Sequence, residues 1–375
     1  MPKTALIYSH DMTGYDMGPN HPMRPERLRL VYELVSAYGL FGGDSRLEPP
    51  VPVTRRDLEA IHVPEYVEAV RALSTGSAEP PLEKYGFASF DNPPFLGMYE
   101  ASLLYTGASV RAAELVASGE YDRVFSISGG LHHAMPAHAS GFCVFNDPAV
   151  AIQKLRRKFR RIAYIDIDAH HGNGVQAAFY DASDVLTISL HETGDFLFPG
   201  SGYPDEIGVG DGKGYAANLP LTPSTTDEVY LWAFDQIVPP LIEAYDPEIV
   251  VAQLGVDSHF ADPLAHLILT SRGFTALVER ILGFGRPVVA FGGGGYNLTA
   301  VPRLWTLAYS LMAEREIDDL IPAEYAAEHG VTHLHDTIQP PMTRHQRHNV
   351  RPDAEKAVAS IKRLIFPVHG LNTSP

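Results

Sequence analysis

Arg160–Gly174 reads RRIAYIDIDAHHGNG, an apolar run that ends by stacking two aspartates and two histidines within six positions. A near-continuous apolar run followed by a loop rich in glycine is what a strand covered on both faces of a parallel sheet looks like. Similar runs recur along the chain: TALIYS from Thr4, DRVFSIS from Asp122, DVLTISL from Asp184, PEIVVAQLG from Pro247 and RPVVAFGG from Arg286. Between them lie amphipathic helical patterns over 27–38, 97–117, 148–159, 227–245, 271–282 and 300–312. This alternation predicts an α/β fold: one three-layer sandwich, a mostly parallel sheet flanked by helices. From about Ala313 it fades into charged and Pro-rich sequence such as TIQPPMTRHQRHNVRPD. The expected division is a catalytic domain over 1–315 and an extension over 316–375, partly helical and packed on or near it.

Bulk properties narrow the function. The 375 residues carry 45 acids against 29 bases, a net charge of −16, which disfavours a phosphate backbone as direct partner and favours cationic ligands. Cys143 is the only cysteine, so no internal disulfide is available. The N-terminal MPKTALIYSH has an apolar run shorter than a signal peptide needs, and no segment reaches the length of a membrane span. The expectation is a cytoplasmic protein.

Gly, Pro, His and Asp concentrate after the strand-like runs, where open α/β sheets gather their ligands. Asp166, Asp168 and His170 converge at the end of the first quoted run, with Asp166 and Asp168 on one side of the strand by its two-residue period. Buried unpaired charges are costly, so such a cluster needs a cation or a hydrogen-bond network, and a strand-end salt-bridge network is the competing reading. Adjacent His132 and His133 follow a diglycine and can exchange protons near neutrality. Asp257 sits just past the PEIVVAQLG run, where it reads either as a third ligand or as a turn aspartate. FGGGGYN, Phe291–Asn297, does not fit a dinucleotide fingerprint and reads as a flexible hairpin delivering Tyr296 to a cavity. His259 and His266 have no spacing partner and are read as structural.

Taken in order, HPMRPERL, GGLHHA, ASGFCVFND, IDIDAHHGNGVQAAFY, SLHETG, FPGSG, GVDSHFADPL and GGGGYN resemble the metal-dependent histone deacetylases and their prokaryotic acetoin-utilisation relatives over about Tyr8 to Tyr309. The resemblance implies a fold of arginase-deacetylase type and removal of acetyl groups from the ε-amine of acetyl-lysine. Its implied metal ligands are Asp168, His170 and Asp257, holding Zn2+ or alternatively Fe2+. His132 and His133 become the proton carriers, oriented by Asp166 and Asn173, and Tyr296 the oxyanion donor. Gly141, Phe142 and Phe198 form the walls of an acyl-lysine tunnel, Leu264 and Asp91 its rim, and Arg27 an acetate exit. K+ or Na+ is implied at an inner site (Asp166, Asp168, His170, Ser189, Leu190) and an outer one (Phe179, Ala182, Val185, Tyr215).

One departure matters. Many family members carry aspartate where this chain has Asn173, so only His132 keeps a carboxylate partner, and His133 is expected to stay neutral as general base and later general acid. The substrate is read as an acetylated protein lysine or, alternatively, an acetylated polyamine. A non-catalytic acetyl-lysine binding module and a binuclear ureohydrolase are the rival classes. The latter lacks its further aspartates, because SHFAD follows Asp257.

Overall fold

A computed structural model describes residues 1–77, 80–340 and 344–373. Its strands are β1 (Thr4–Ile7), β2 (Ser45–Glu48), β3 (Arg123–Ser126), β4 (Ile162–Asp166), β5 (Val185–Glu192), β6 (Ala216–Leu221), β7 (Ile249–Gln253) and β8 (Val288–Phe291). They form one sheet in the order β2-β1-β3-β8-β7-β4-β5-β6, with every pairing parallel. The helices are α1 (Glu26–Ala37), α2 (Arg55–Leu58), α3 (Pro64–Thr75), α4 (Met98–Ser118), α5 (Asp147–Leu155), α6 (Asn173–Ala178), α7 (Asp227–Tyr245), α8 (Ser271–Leu282), α9 (Ala300–Met312), α10 (Ala323–His329) and α11 (Arg344–Leu364).

The six strands expected from apolar runs are all present, and four of them (β3, β4, β7, β8) lie side by side in the middle of the sheet. β4, β7 and β8 are buried at every position, which is why their sequences read as unbroken hydrophobic stretches. The sheet has two further strands that the apolar pattern does not reveal, and both are edges. β2, SRLE, exposes its centre, and β6, AANLPL, carries Pro220, tolerated because an edge strand leaves one row of backbone groups unpaired.

Because all strands run the same way, the loops after β3, β8, β7 and β4 emerge side by side at one rim. Two local expectations change. β4 ends at Asp166, so Asp168 stands in the loop beyond the strand and reaches the rim by the turn rather than by strand period. FGGGGYN is no hairpin: it runs from β8 to α9, as a parallel sheet requires.

Past residue 315, Ile321, Tyr325 and Leu334 share a small core with Leu34 of α1 and Leu307 of α9. α11 packs on β6 and α7, and Val350, Ala354, Val358 and Ile361 join the main core. Within TIQPPMTRHQRHNVRPD, Pro341–Thr343 lie outside the described residues. Among the described residues no helix is long and apolar enough to cross a membrane.

Candidate active site

Asp168, His170 and Asp257 come together from the β4 and β7 loops, their ligand-type atoms within 4.8 Å of one another and all three buried. The His170 Nδ1 lies 2.8 Å from Asp257 Oδ2 and 3.2 Å from Asp168 Oδ1. Backbone amides fix both carboxylates: Gly294 N–H donates to Asp168 Oδ2 (2.7 Å) and Ala169 N–H to Asp257 Oδ1 (2.8 Å). The glycine run makes this approach possible, since a Cβ on Gly294 would stand 2.0 Å from Asp257 Oδ2. Burial opposes charge on His170, yet hydrogen bonds to the two carboxylates outweigh it and push its pKa up to about 10. A proton on Nδ1 thus supplies the positive charge that two buried carboxylates demand. A divalent ion meets the same demand with one nitrogen and two oxygen donors, and leaves positions open as a catalytic centre needs.

The tandem histidines stand beside this group, His132 2% and His133 5% exposed. Their Nε2 atoms are 3.1 Å apart, and each Nδ1 has its own partner: Asp166 Oδ2 at 2.8 Å for His132, Asn173 Oδ1 at 2.8 Å for His133. Burial pulls both toward neutrality. For His132 the charges of Asp166 and Asp168 overcome it, so its pKa is raised. For His133 burial is reinforced by the positive His132 and His170, and its pKa falls well below the usual imidazole range. Asn173, as acceptor, holds the proton on Nδ1 and leaves Nε2 with its lone pair.

Asp91, His133, Gly141, Phe142, His170, Leu197, Phe198, Leu264 and Tyr296 line a cavity of about 200 Å³. Its walls are aromatic: the Phe198 ring meets His133 edge-on at 5.0 Å, and Phe142 meets Tyr296 edge-on at 5.6 Å. Gly141 and Phe142 both take positive φ (53° and 68°), and a Cβ on Gly141 would strike the His133 ring at 2.5 Å. Burial first, then the charges of Asp257 and Asp168, raise the Tyr296 phenol well above its usual pKa and keep it a donor.

Every sequence-derived wall and rim residue therefore borders one cavity. Arg27 does not: it is buried beneath, donating to Gly293 O (2.8 Å) and Gly295 O (3.0 Å) and stacking over Trp305, so it clamps the glycine loop. Of the residues proposed to surround a monovalent ion, Asp166 and Ser189 are register partners on β4 and β5, and Leu190 O accepts the Tyr230 hydroxyl. Phe179 O accepts the Ala182 amide, Tyr215 O accepts the Thr187 amide, and Val185 opens β5.

Sequence reading passed over four residues. Leu197 lines the cavity next to Phe198. Asp147 accepts the Gly130 and Leu131 amides, and Asn146 donates to Ala134 O, so the two brace the tandem-histidine loop. Asp262 accepts the Tyr296 amide at 2.8 Å. All four stand within or beside the quoted motifs, but braces carry no signature of their own. His259 and His266 are paired, with Asp336 and Glu192.

Residues 21–312 match the family model for the histone deacetylase domain. The chain is 35% identical over 363 residues to histone deacetylase clr6 of Schizosaccharomyces pombe, covering 96% of this chain and 88% of that one. It is 37% identical over 333 residues to the acetoin utilization protein AcuC of Bacillus subtilis, covering 87% and 86%. A crystal structure of an HDAC homolog from Aquifex aeolicus superimposes with a TM-score of 0.86 at 32% identity, covering 95% of this chain and all of that one. A parallel α/β sheet of arginase-deacetylase type, with a buried Asp-His-Asp group able to hold a metal at the base of an aromatic cavity, places this amide-hydrolysing chain in the histone deacetylase family.

Proposed function

We propose that the protein removes acetyl groups from the ε-amine of acetyl-lysine in proteins or peptides. The carrying observation is the shape of the site: about 200 Å³, narrower than the clefts that take drug-sized molecules, walled by Phe142 and Phe198 and ending at His133, His170 and Tyr296. A linear alkyl chain bearing an amide suits such a space better than a ring.

Asp168, His170 and Asp257 would hold the ion, Zn2+ or alternatively Fe2+, which when bound supplies Lewis acidity to the amide carbonyl and acidifies water. His133, neutral at Nε2, takes the proton of the attacking water and returns it to the departing lysine amine. His132, held charged by Asp166, adds positive potential as negative charge develops. Tyr296 donates its phenolic proton to the developing oxyanion, an interaction that strengthens in the transition state. Gly141, Phe142, Phe198 and Leu197 bind the side chain and exclude water, and Leu264 borders the mouth. Asp91 is exposed at the rim, where its carboxylate can accept backbone amides of a peptide. Acetate would leave past Arg27, and K+ or Na+ would sit at the inner and outer carbonyl sites.

Acetylated polyamines are the second substrate reading, supported by the net charge of −16. Phe90 and Phe196, 63% and 65% exposed and next in sequence to the rim residue Asp91 and the wall residue Leu197, favour the polypeptide, because a polyamine has no apolar neighbours to cover them. The test is side-by-side turnover of a fluorogenic acetyl-lysine peptide and acetylated polyamines, with and without chelator. Peptide turnover that chelation abolishes and Zn2+ or Fe2+ restores is expected. Faster turnover of polyamines would reassign the substrate, and chelator-resistant turnover would dismiss the metal.

A further inference from the structure

We infer that Asp336, in the C-terminal segment beyond the region matched by the family model, is a positioning residue for Tyr296. This rests on the role of Tyr296 proposed above. The Asp336 side chain is 7% exposed and joins three elements. Its Oδ2 accepts His259 Nε2–H at 2.9 Å and the Ser271 amide at 2.7 Å, and its Oδ1 accepts Arg303 Nη2–H at 3.0 Å. Its own amide donates to Ser271 Oγ at 2.8 Å, which fixes the carboxylate at the start of α8.

Two arms run from this carboxylate to Tyr296. In the first, His259 accepts the Ala261 amide at Nδ1 (3.2 Å), so its one proton lies on Nε2, facing Asp336. The ring thereby shapes the turn in which the Asp262 amide donates to His259 O (2.9 Å). That turn presents two acceptors to the glycine loop: Asp262 Oδ2 takes the Tyr296 amide at 2.8 Å, and Ala261 O takes the Asn297 side-chain amide at 2.9 Å. In the second arm, Arg303 donates to Asp336, to Leu334 O (2.9 Å) and to Thr299 O (3.0 Å), tying down the start of α9 just after Asn297. Tyr296 is thus fastened on both sides, and the fastenings meet at one residue.

A phenol that must meet a developing oxyanion depends on placement, whereas the Phe142 and Phe198 walls take part in none of these hydrogen bonds. Asp336→Asn presents an amide where two donors converge, so one arm loses its acceptor. The expected result is a kcat lower by roughly ten- to a hundredfold with KM little changed. In a Tyr296→Phe background that factor should shrink toward unity, because the group being placed is gone. An equal factor in both backgrounds, no change at all, or a loss confined to KM overturns the inference. Should Asp336→Asn fail to fold, His259→Phe cuts one arm while keeping a ring beside Phe260, and the same cycle applies. If the parent protein turns over neither acetyl-lysine peptides nor acetylpolyamines, the deacetylase reading fails separately. Placement is then read from the 19F resonance of fluorotyrosine at position 296: a line that shifts or broadens in Asp336→Asn supports the strut, and an unchanged line overturns it.

Discussion

Two pairs of buried histidines stand at the carboxyl ends of this sheet, and they are built for opposite purposes. His132 and His133, with rings 4.1 Å apart, have one carboxylate partner and one amide partner, and His133 borders the cavity. His171 and His191, with rings 4.8 Å apart, have only neutral partners: Ser201 Oγ and Gln176 Oε1 for the first, Ser189 Oγ and Gly202 O for the second. Burial lowers the pKa of His171 to about 4 and that of His191 well below the usual value. The difference teaches that proximity of two imidazoles means little. A carboxylate on one ring and a cavity beside the other separate their protonation states, while neutral partners leave both uncharged and structural.

The strongest way to break this contrast is to remove one ring from each pair. His133→Ala should lower kcat by about 10²–10⁴-fold with unchanged circular dichroism, since a general base contributes that much. His191→Asn should leave kcat per folded molecule intact and cost about 1–3 kcal/mol of stability by orphaning buried partners. Comparable loss of turnover in the two variants would erase the distinction.

Asp166→Asn probes the partner instead of the ring. Without the carboxylate His132 loses its charge, and kcat should drop roughly 10–100-fold, the range seen when an orienting carboxylate is removed behind a histidine. Because the positive His132 helps hold the His133 pKa down, its loss should also move the acid limb of the pH–rate profile to higher pH, and a limb that stays in place would show that His132 carries no charge in the parent protein.

Asn173→Asp sharpens the inequality of the tandem pair. A new carboxylate at His133 Nδ1 raises the pKa of that ring, so the acid limb of kcat/KM, set by the neutral base, should move to higher pH by about one unit or more. A limb that stays in place would show that His133 is not the titrating base.

The smallest effect concerns stability in acid. The folded-state pKa of His171 is depressed, so the unfolded chain takes up the proton first and stability falls as pH drops from about 6.5 toward 4. His171→Gln should flatten that slope in urea titrations at pH 7 and pH 5, with turnover at neutral pH little altered. An unchanged slope would mean that the depression arises elsewhere.

Gly141, Phe142 and Tyr296 were legible because each sits in a loop after an apolar strand, and loops after parallel strands gather at one rim, whereas Phe198, Leu264 and Asp91, the last in the connection between α3 and α4, were legible only through the family resemblance. The central strands were legible for a related reason: burial on both faces leaves an unbroken apolar run. The edges β2 and β6 were not, since half-exposed strands tolerate Arg46 and Pro220. Nor were Asn146, Asp147 and Asp262, whose work is to accept or donate to backbone groups of other loops.

By itself the sequence determined the chemistry on offer, namely which loops carry carboxylates and imidazoles and that the strands would be mostly parallel, and the family resemblance added that Asn173 replaces a charge. Only the tertiary structure decided that His259, silent in the sequence, meets Asp336 across 77 residues, and that Leu197 joins the cavity wall. Periodicity is local and records burial, whereas a hydrogen bond between distant loops depends on the order in which strands pack, and that order is written in no single segment.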